Sequence, residues 1–319
     1  DINLLLEALR KTITLTADYA TMTGLEGWRQ SVYNYRQVKR AHRRTQKMKR
    51  SSSRDALKKA KRQQEIVKAH RDYVSVGRQF IRKSEQTLAI EVVDMGLTAM
   101  AKAVEIQTYI HHAERQMEQI ERRVIHGETI PHEEKVFSVF QPHTEWLSKG
   151  KAGVPVELGL KVCIVEDTDG YVLYHQVMQH ISDDQIAIDL ICETQARYPA
   201  LRVCSFDKGF HSPTNQVELA KRLDRVVLPQ KGRCNKTEQE RQNSEAFKRS
   251  RRQHSAVESG INALEVHGLD RCPDHGLHGF KRYVALAVVA RNIQKLGAEL
   301  QQKIRQQKKR TRHRDQLAA

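Results

Sequence analysis

Cysteine, proline and aromatic side chains are all scarce in this 319-residue chain, and no long apolar run occurs. The five cysteines (Cys163, Cys192, Cys204, Cys234, Cys272) are far apart, odd in number and form no CxxC pair. That pattern argues against a disulfide framework and fits a reducing compartment. Cys163, Cys192 and Cys204 lie among apolar residues and read as small buried hydrophobes. No stretch approaches the roughly 18 apolar residues of a membrane-spanning helix, and no signal-peptide pattern opens the chain, so a soluble cytoplasmic protein is expected. Acidic residues are also in deficit: 38 Asp and Glu face 55 Lys and Arg, for a formal net charge of +17. Such an excess calls for a polyanionic partner, of which nucleic acid is the commonest, or for an anionic membrane surface.

Proline is missing before Pro131, and residues 1–126 hold four glycines (Gly24, Gly27, Gly77, Gly96). Leu4, Leu5, Ala8, Leu9, Ile13 and Leu15 recur at helical spacing, with Asp1 or Asn3 available as an N-cap. From Arg29 to Lys83 the chain carries 19 Lys or Arg and three acids, Asp55, Glu65 and Asp72, so almost all of the net charge is local. Two readings fit this segment. One is a solvated helical hairpin turning at Ser51–Ser53, with Val32, Tyr35, Val38, Leu57, Ile66 and Val67 facing inward. The other is a clamp on the DNA backbone, with Lys39, Arg40, Arg43, Arg44, Lys47, Lys49 and Arg50 neutralising phosphates and releasing counterions. Residues 84–126 continue as a long amphipathic helix, broken or not near Gly96, suited to coiled-coil packing within or between chains.

Gly127 and Pro131 mark a change of pattern, giving a division into a basic helical region (1–126), an α/β core (127–298) and a basic, frayed tail (299–319). KVFSVF (135–140) reads as a strand ended by Pro142. KGKAGVP is a loop whose Lys149 and Lys151 are free to meet phosphate. Two strands flank the DTDG turn at Asp167 and Asp169, a hairpin signal in which Asp is a turn former. Asp183 and Asp184 are placed to cap a helix over 185–198, ended by Pro199. LRVCSF then returns as a strand that delivers Asp207 to its carboxyl end, followed at once by Lys208 and Gly209. Pro213 opens the next helix, RVVLP forms another strand, and a long helix begins near Thr237. On that helix Val257, Ile261 and Leu264 share one face. Glu258 sits among Ser255, Ala256, Ser259 and Gly260, which are small enough for close approach of another element. Arg249, Arg251 and Arg252 lie about two turns earlier, where they can hold a phosphate backbone, and His254 shares the side of Glu258.

The alternation of strands and helices is an α/β pattern with a mixed sheet. Carboxylates at a strand end and on a later helix suit Mg²⁺, which is completed by water and substrate phosphate. Two such ions clamp the attacking and leaving oxygens of a phosphoryl displacement. A second cluster, His267, Cys272, His275 and His278, has ligand types that suit Zn²⁺, but matches no standard zinc spacing; ordinary hydrogen bonding in a Gly-rich loop accounts for it.

FDKGFHSP, VVLPQKG, HSAVESGINALEVHGLDRC and GFKRYVALAVVARNIQKLG resemble the carboxyl-terminal part of DDE transposases of bacterial insertion sequences, in the not-yet-grouped set related to the IS-five and IS-four type enzymes. The resemblance spans residues 133–298, and the earlier helical part is similar to the long insertion of that group. It implies a ribonuclease H-like fold interrupted by a basic all-α insertion. It further implies three acids holding two Mg²⁺ ions, cleavage at the ends of a DNA element with strand transfer to target DNA, and a homodimer in the synaptic complex at the nucleoid. Asp207 matches the second acid and Glu258 the third. The first acid, which in that family precedes the insertion, has no counterpart here, so a fragment inactive by itself is expected. His254 and Glu265 stand where the related Tyr-Arg-Glu-Lys signature has Arg and Lys. A non-enzymatic DNA-binding relic or a regulator of transposition is the rival expectation.

Overall fold

Helices fill the region that lacks proline. The computed structural model describes residues 1–93, 95–148, 155–269 and 271–318, apart from the side chains of 255, 256, 258 and 312–318. The described residues form a mixed α and β protein of two units, Asp1–Pro142 and His143–Ala319. No helix is long and apolar enough to cross a membrane among the described residues.

The first unit is built on α1 (Ile2–Thr23). Asp1 caps it through its side chain, which accepts from the Asn3 N–H, and Gly24 closes it in the left-handed conformation, where a Cβ would be strained. Leu5, Leu9, Ile13 and Tyr19 are wholly buried, because α2 (Ser31–Gln46), α3 (Ala56–Leu88) and α4 (Leu97–Ile120) surround α1. Gly77 of α3 sits where an added Cβ would lie 3.0 Å from Met117 Sδ and 3.3 Å from a Leu9 methyl, so α3 packs closely here. Trp28 is anchored by donating from Nε1 to Thr87 Oγ1 at 2.8 Å. The chain breaks between α3 and α4 before Gly96, which takes the N-cap position of α4.

The KVFSVF segment is not a strand. Residues 135–140 are bends and irregular backbone, Val139 joins the core of the helical unit, and Glu134 nearby accepts from Arg115, Gln119 and Arg122. Apolar alternation here serves to bury Val139, and among the described residues no strand lies alongside to complete a ladder. The boundary between units therefore falls at Pro142, later than composition suggests.

In the second unit β1 (Glu145–Ser148) pairs with β2 (Val156–Gly159), while β3 (Lys161–Glu166) and β4 (Val172–Met178) form the hairpin expected at DTDG. Asp167 makes that turn, its Oδ1 accepting from the Asp169 and Tyr171 N–H groups. α5 (Asp183–Arg197) follows, capped by Ser182 in a reciprocal box with Gln185, so Asp183 and Asp184 occupy the first turn and do not cap it. β5 (Val203–Ser205), α6 (Pro213–Arg222) and β6 (Arg225–Val227) make a β-α-β unit with parallel strands. α5 ties the ribbons together: Ile186 and Leu190 pack on Cys163, Val165 and Met178 of the hairpin, and Ala187 and Ile191 pack with Phe206, Leu219 and Leu228 beside the parallel pair. Among the described residues no ladder joins β3 to β5, so each keeps an edge unpaired.

The long helix expected from Thr237 is two, α7 (Lys236–Asn243) and α8 (Glu245–Leu264), separated by Ser244, which caps α8. α8 passes into a π turn at Glu265–Leu269, and α9 (Gly276–Ala318) closes the chain. The tail beyond 299 is a continuation of α9 and not a frayed end.

Candidate functional site

Asp207 stands one residue beyond Phe206, whose burial pins the end of β5. The chain then turns through one 3-10 turn, Lys208–Phe210, with Lys208 exposed. Gly209 has ordinary backbone angles, and its lack of a Cβ serves proximity: a Cβ there would meet Asp183 Oδ2 at 2.5 Å. Asp183 at the start of α5 thus brings a second carboxylate against the loop that carries Asp207, and its Oδ1 also meets Lys161 Nζ at 3.4 Å.

α8 crosses the strand end and is fastened there by His254. Its Nδ1 lies 2.9 Å from Ser205 Oγ and its Nε2 3.2 Å from Asp207 Oδ1. With Asp207 ionised, Nε2–H donates to the carboxylate and Nδ1 accepts from the Ser205 hydroxyl. The hydrogen bond from His254, with the positive charge of Arg251 nearby, holds the Asp207 carboxyl below the usual range, against an opposing push from burial. The order Ser, His, Asp imitates an acyl-transfer triad. Here, however, the carboxylate that should be the buried end is 62% exposed, and the hydroxyl belongs to a strand and not to a sharp turn. The bridge is therefore a strut between β5 and α8. Position 258 follows one turn after His254 on α8; its side chain lies outside the description, as do Lys149 and Lys151. Arg249, Arg251 and Arg252 are exposed on the same helix. Of the apolar face expected there, Leu264 is buried, whereas Ile261 is 41% exposed.

The sequence reading overlooked a third acid. Glu166 ends β3, and Gly260 of α8 is the residue that makes room for it, since a Cβ there would collide with the Glu166 carboxylate. Glu166 Oε2 is buried without a hydrogen-bond partner. Burial raises its pKa, partly offset by Arg291 and Lys295 of α9 and aided by Asp167. The signal that could have found it was the Gly260 close-approach position, read earlier as room for an unspecified neighbour.

Cys163 and Cys204, on β3 and β5, are pushed up to about 12 by burial, which keeps both thiols protonated and unreactive. The loop with His267, Cys272, His275 and His278 is organised by Asp274, which accepts from the His275 N–H and from Arg282 Nη2 at 2.8 Å.

In the helical unit Arg40, Arg43, Arg44, Lys47, Lys49 and Arg50 are exposed, and Lys39 is half-buried with its Nζ 5.9 Å from the Tyr35 ring centroid. Lys58, Lys59, Lys61, Lys68 and Arg71 of α3 are exposed as well. Asp72 meets Arg44 at 3.4 Å, and Glu65 meets Arg62 at 2.9 Å. Val38 and Ile66 are buried as expected, but Val32 and Leu57 face solvent at 64% and 82% exposure. The hairpin thus exposes many more Lys and Arg than Asp and Glu.

Asp207 offers the hard oxygen that Mg²⁺ prefers, but the described residues contain no group of three or more acidic, His or Cys side chains able to hold a metal. Asp207 supplies one such oxygen set, engaged by His254, and the side chain of Glu258 lies outside the described residues. No family model, no curated protein and no solved structure matches this chain.

Proposed function

We propose that this chain is a DNA-binding portion of a DDE-type transposase, with a ribonuclease H-like core and a basic helical insertion. The observation that carries the reading is the cationic face of α2 and α3, whose exposed Lys and Arg outnumber their acidic partners. Phosphate neutralisation by such a face supplies affinity without sequence information. Its link to phosphodiester chemistry is Asp207 at the end of a parallel strand, with Glu258 on the helix that His254 fastens beside it. Among the described residues β3 and β5, on the two ribbons that pack against α5, each keep an edge that a further strand would suit. That strand is the place from which a further carboxylate reaches Asp207. Without it the Mg²⁺ site is incomplete, and the chain binds DNA but neither cuts nor joins it.

The test is equilibrium binding to duplex DNA across a salt series. Each Lys or Arg that meets a phosphate adds about 0.9 to the slope of log affinity against log salt. Arg40→Ala, Arg43→Ala and Lys47→Ala together lower the slope by up to about 2.7. An unchanged slope removes the basic face from the reading. Strand transfer by residues 1–319 with Mg²⁺ on element ends overturns the incompleteness of the site. In a longer product with the added strand, Asp207→Ala and Glu258→Ala each abolish cleavage and spare binding; cleavage surviving either rejects the ligand assignment.

A further inference from the structure

α9 carries an unpartnered seam. Leu286, Val289, Ile293, Leu296, Leu300 and Ile304 follow one another at intervals of three or four residues and are each between 49% and 66% exposed. Such spacing marks the stripe of a two-helix coiled coil, because it returns to one face of a slightly underwound helix. The opposite face of α9 is already used. Val284 and Val288 are buried, Asn292 exchanges two 2.9 Å hydrogen bonds with the Val172 backbone, and Lys295 reaches Gly170. Beyond this, every residue from Gln301 to Thr311 is exposed although helical. An isolated helical segment shorter than about 12–15 residues is marginal in water, so these last turns lack a packed face to hold them.

We infer that α9 pairs with α9 of a second copy of this chain, in antiparallel orientation. The stripe is self-complementary in that sense: Leu286 falls opposite Ile304, Val289 opposite Leu300, and Ile293 opposite Leu296, about a two-fold axis near the middle. The stripe leaves on the order of 600 Å² per copy open, so pairing removes at most about 1,200 Å² in all, which reaches the lower bound of a standard stable interface. Beside the stripe Ala285, Ala290 and Gly297 are small and uncharged and permit close approach, while the charged Glu299 and Lys303 are confined to its tail end. Antiparallel pairing also keeps the two basic tails at opposite ends of the seam. The inference does not rest on the DNA-processing reading.

The experiment is the molar mass of the nuclease-treated full chain by light scattering in about 1 M salt, where a screening length near 3 Å removes bridging through nucleic acid. The expected result is a dimer that becomes a monomer in Leu300→Asp/Ile304→Asp. These positions lie in or beside the wholly exposed end of α9, so their replacement leaves the packed part of the fold in place. Hydrogen exchange of residues 301–311 then rises in the variant and stays slow in the wild type. A monomeric wild-type chain overturns the inference, and so does a dimer unaffected by the double substitution.

Discussion

Glu166→Gln tests the balance of charge and burial at the end of β3. Glu166 Oε2 is buried against Gly260 with no hydrogen-bond partner, and burial outweighs Arg291 and Lys295 in setting the direction of its pKa. The folded carboxyl therefore titrates above its ordinary value of 4.5. A raised folded pKa means that the favourable contribution is full below the unfolded value and is lost as pH rises through the folded one. At neutral pH the ionised carboxylate thus opposes folding, and the uncharged amide relieves it. Burying an ionised carboxylate costs more than burying a neutral amide, and the partial exposure of this side chain and its two cations keep the gain small, about 1 kcal/mol. Hydrogen exchange in β3 and the adjoining part of α9 should slow about fivefold at pH 7.5, with the gain shrinking toward pH 4.5. Faster exchange in the variant at pH 7.5 would refute the reasoning, since it would mean that attraction to Arg291 and Lys295 exceeds the burial penalty.

His254→Ala removes the strut between β5 and α8 and should destabilise the second unit by about 1–2 kcal/mol, read as faster exchange in α8. Under denaturant titration Gly77→Val should cost about 1–3 kcal/mol, because the new side chain crowds Met117 Sδ and a Leu9 methyl; a stability unchanged from wild type would show that these side chains or α3 can give way.

The division into a helical half and an α/β half was legible because proline is absent before Pro131 and the strand-like patterns begin only after Gly127. Asp207 was legible for a local reason: β5 is followed at once by a turn, and strand ends are where side chains leave a sheet. The KVFSVF segment was misread because alternation reports which side chains want burial but not whether another strand lies alongside. Val139 finds its burial among helices. Val32 and Leu57 were placed inward by helical periodicity, which cannot tell how far the neighbouring helices extend. Glu166 escaped notice because the adjacent Asp167 and Asp169 make a turn so evident that the preceding acid is read with it. Its burial depends on Gly260, far along the chain, and on two cations of α9. Asp183 was similarly taken as a cap, a role that Ser182 fills.

The unpaired edges of β3 and β5 have a consequence for the behaviour of the chain in bulk. Open backbone donors and acceptors accept any extended segment, including one from a transiently unfolded neighbour. Lys161 places a charge at the start of β3, which blunts such pairing, and β5 has only three residues to offer. Aggregation should accordingly grow with protein concentration and fall when an extended peptide fills the gap, making colloidal stability a direct report on whether those edges are covered.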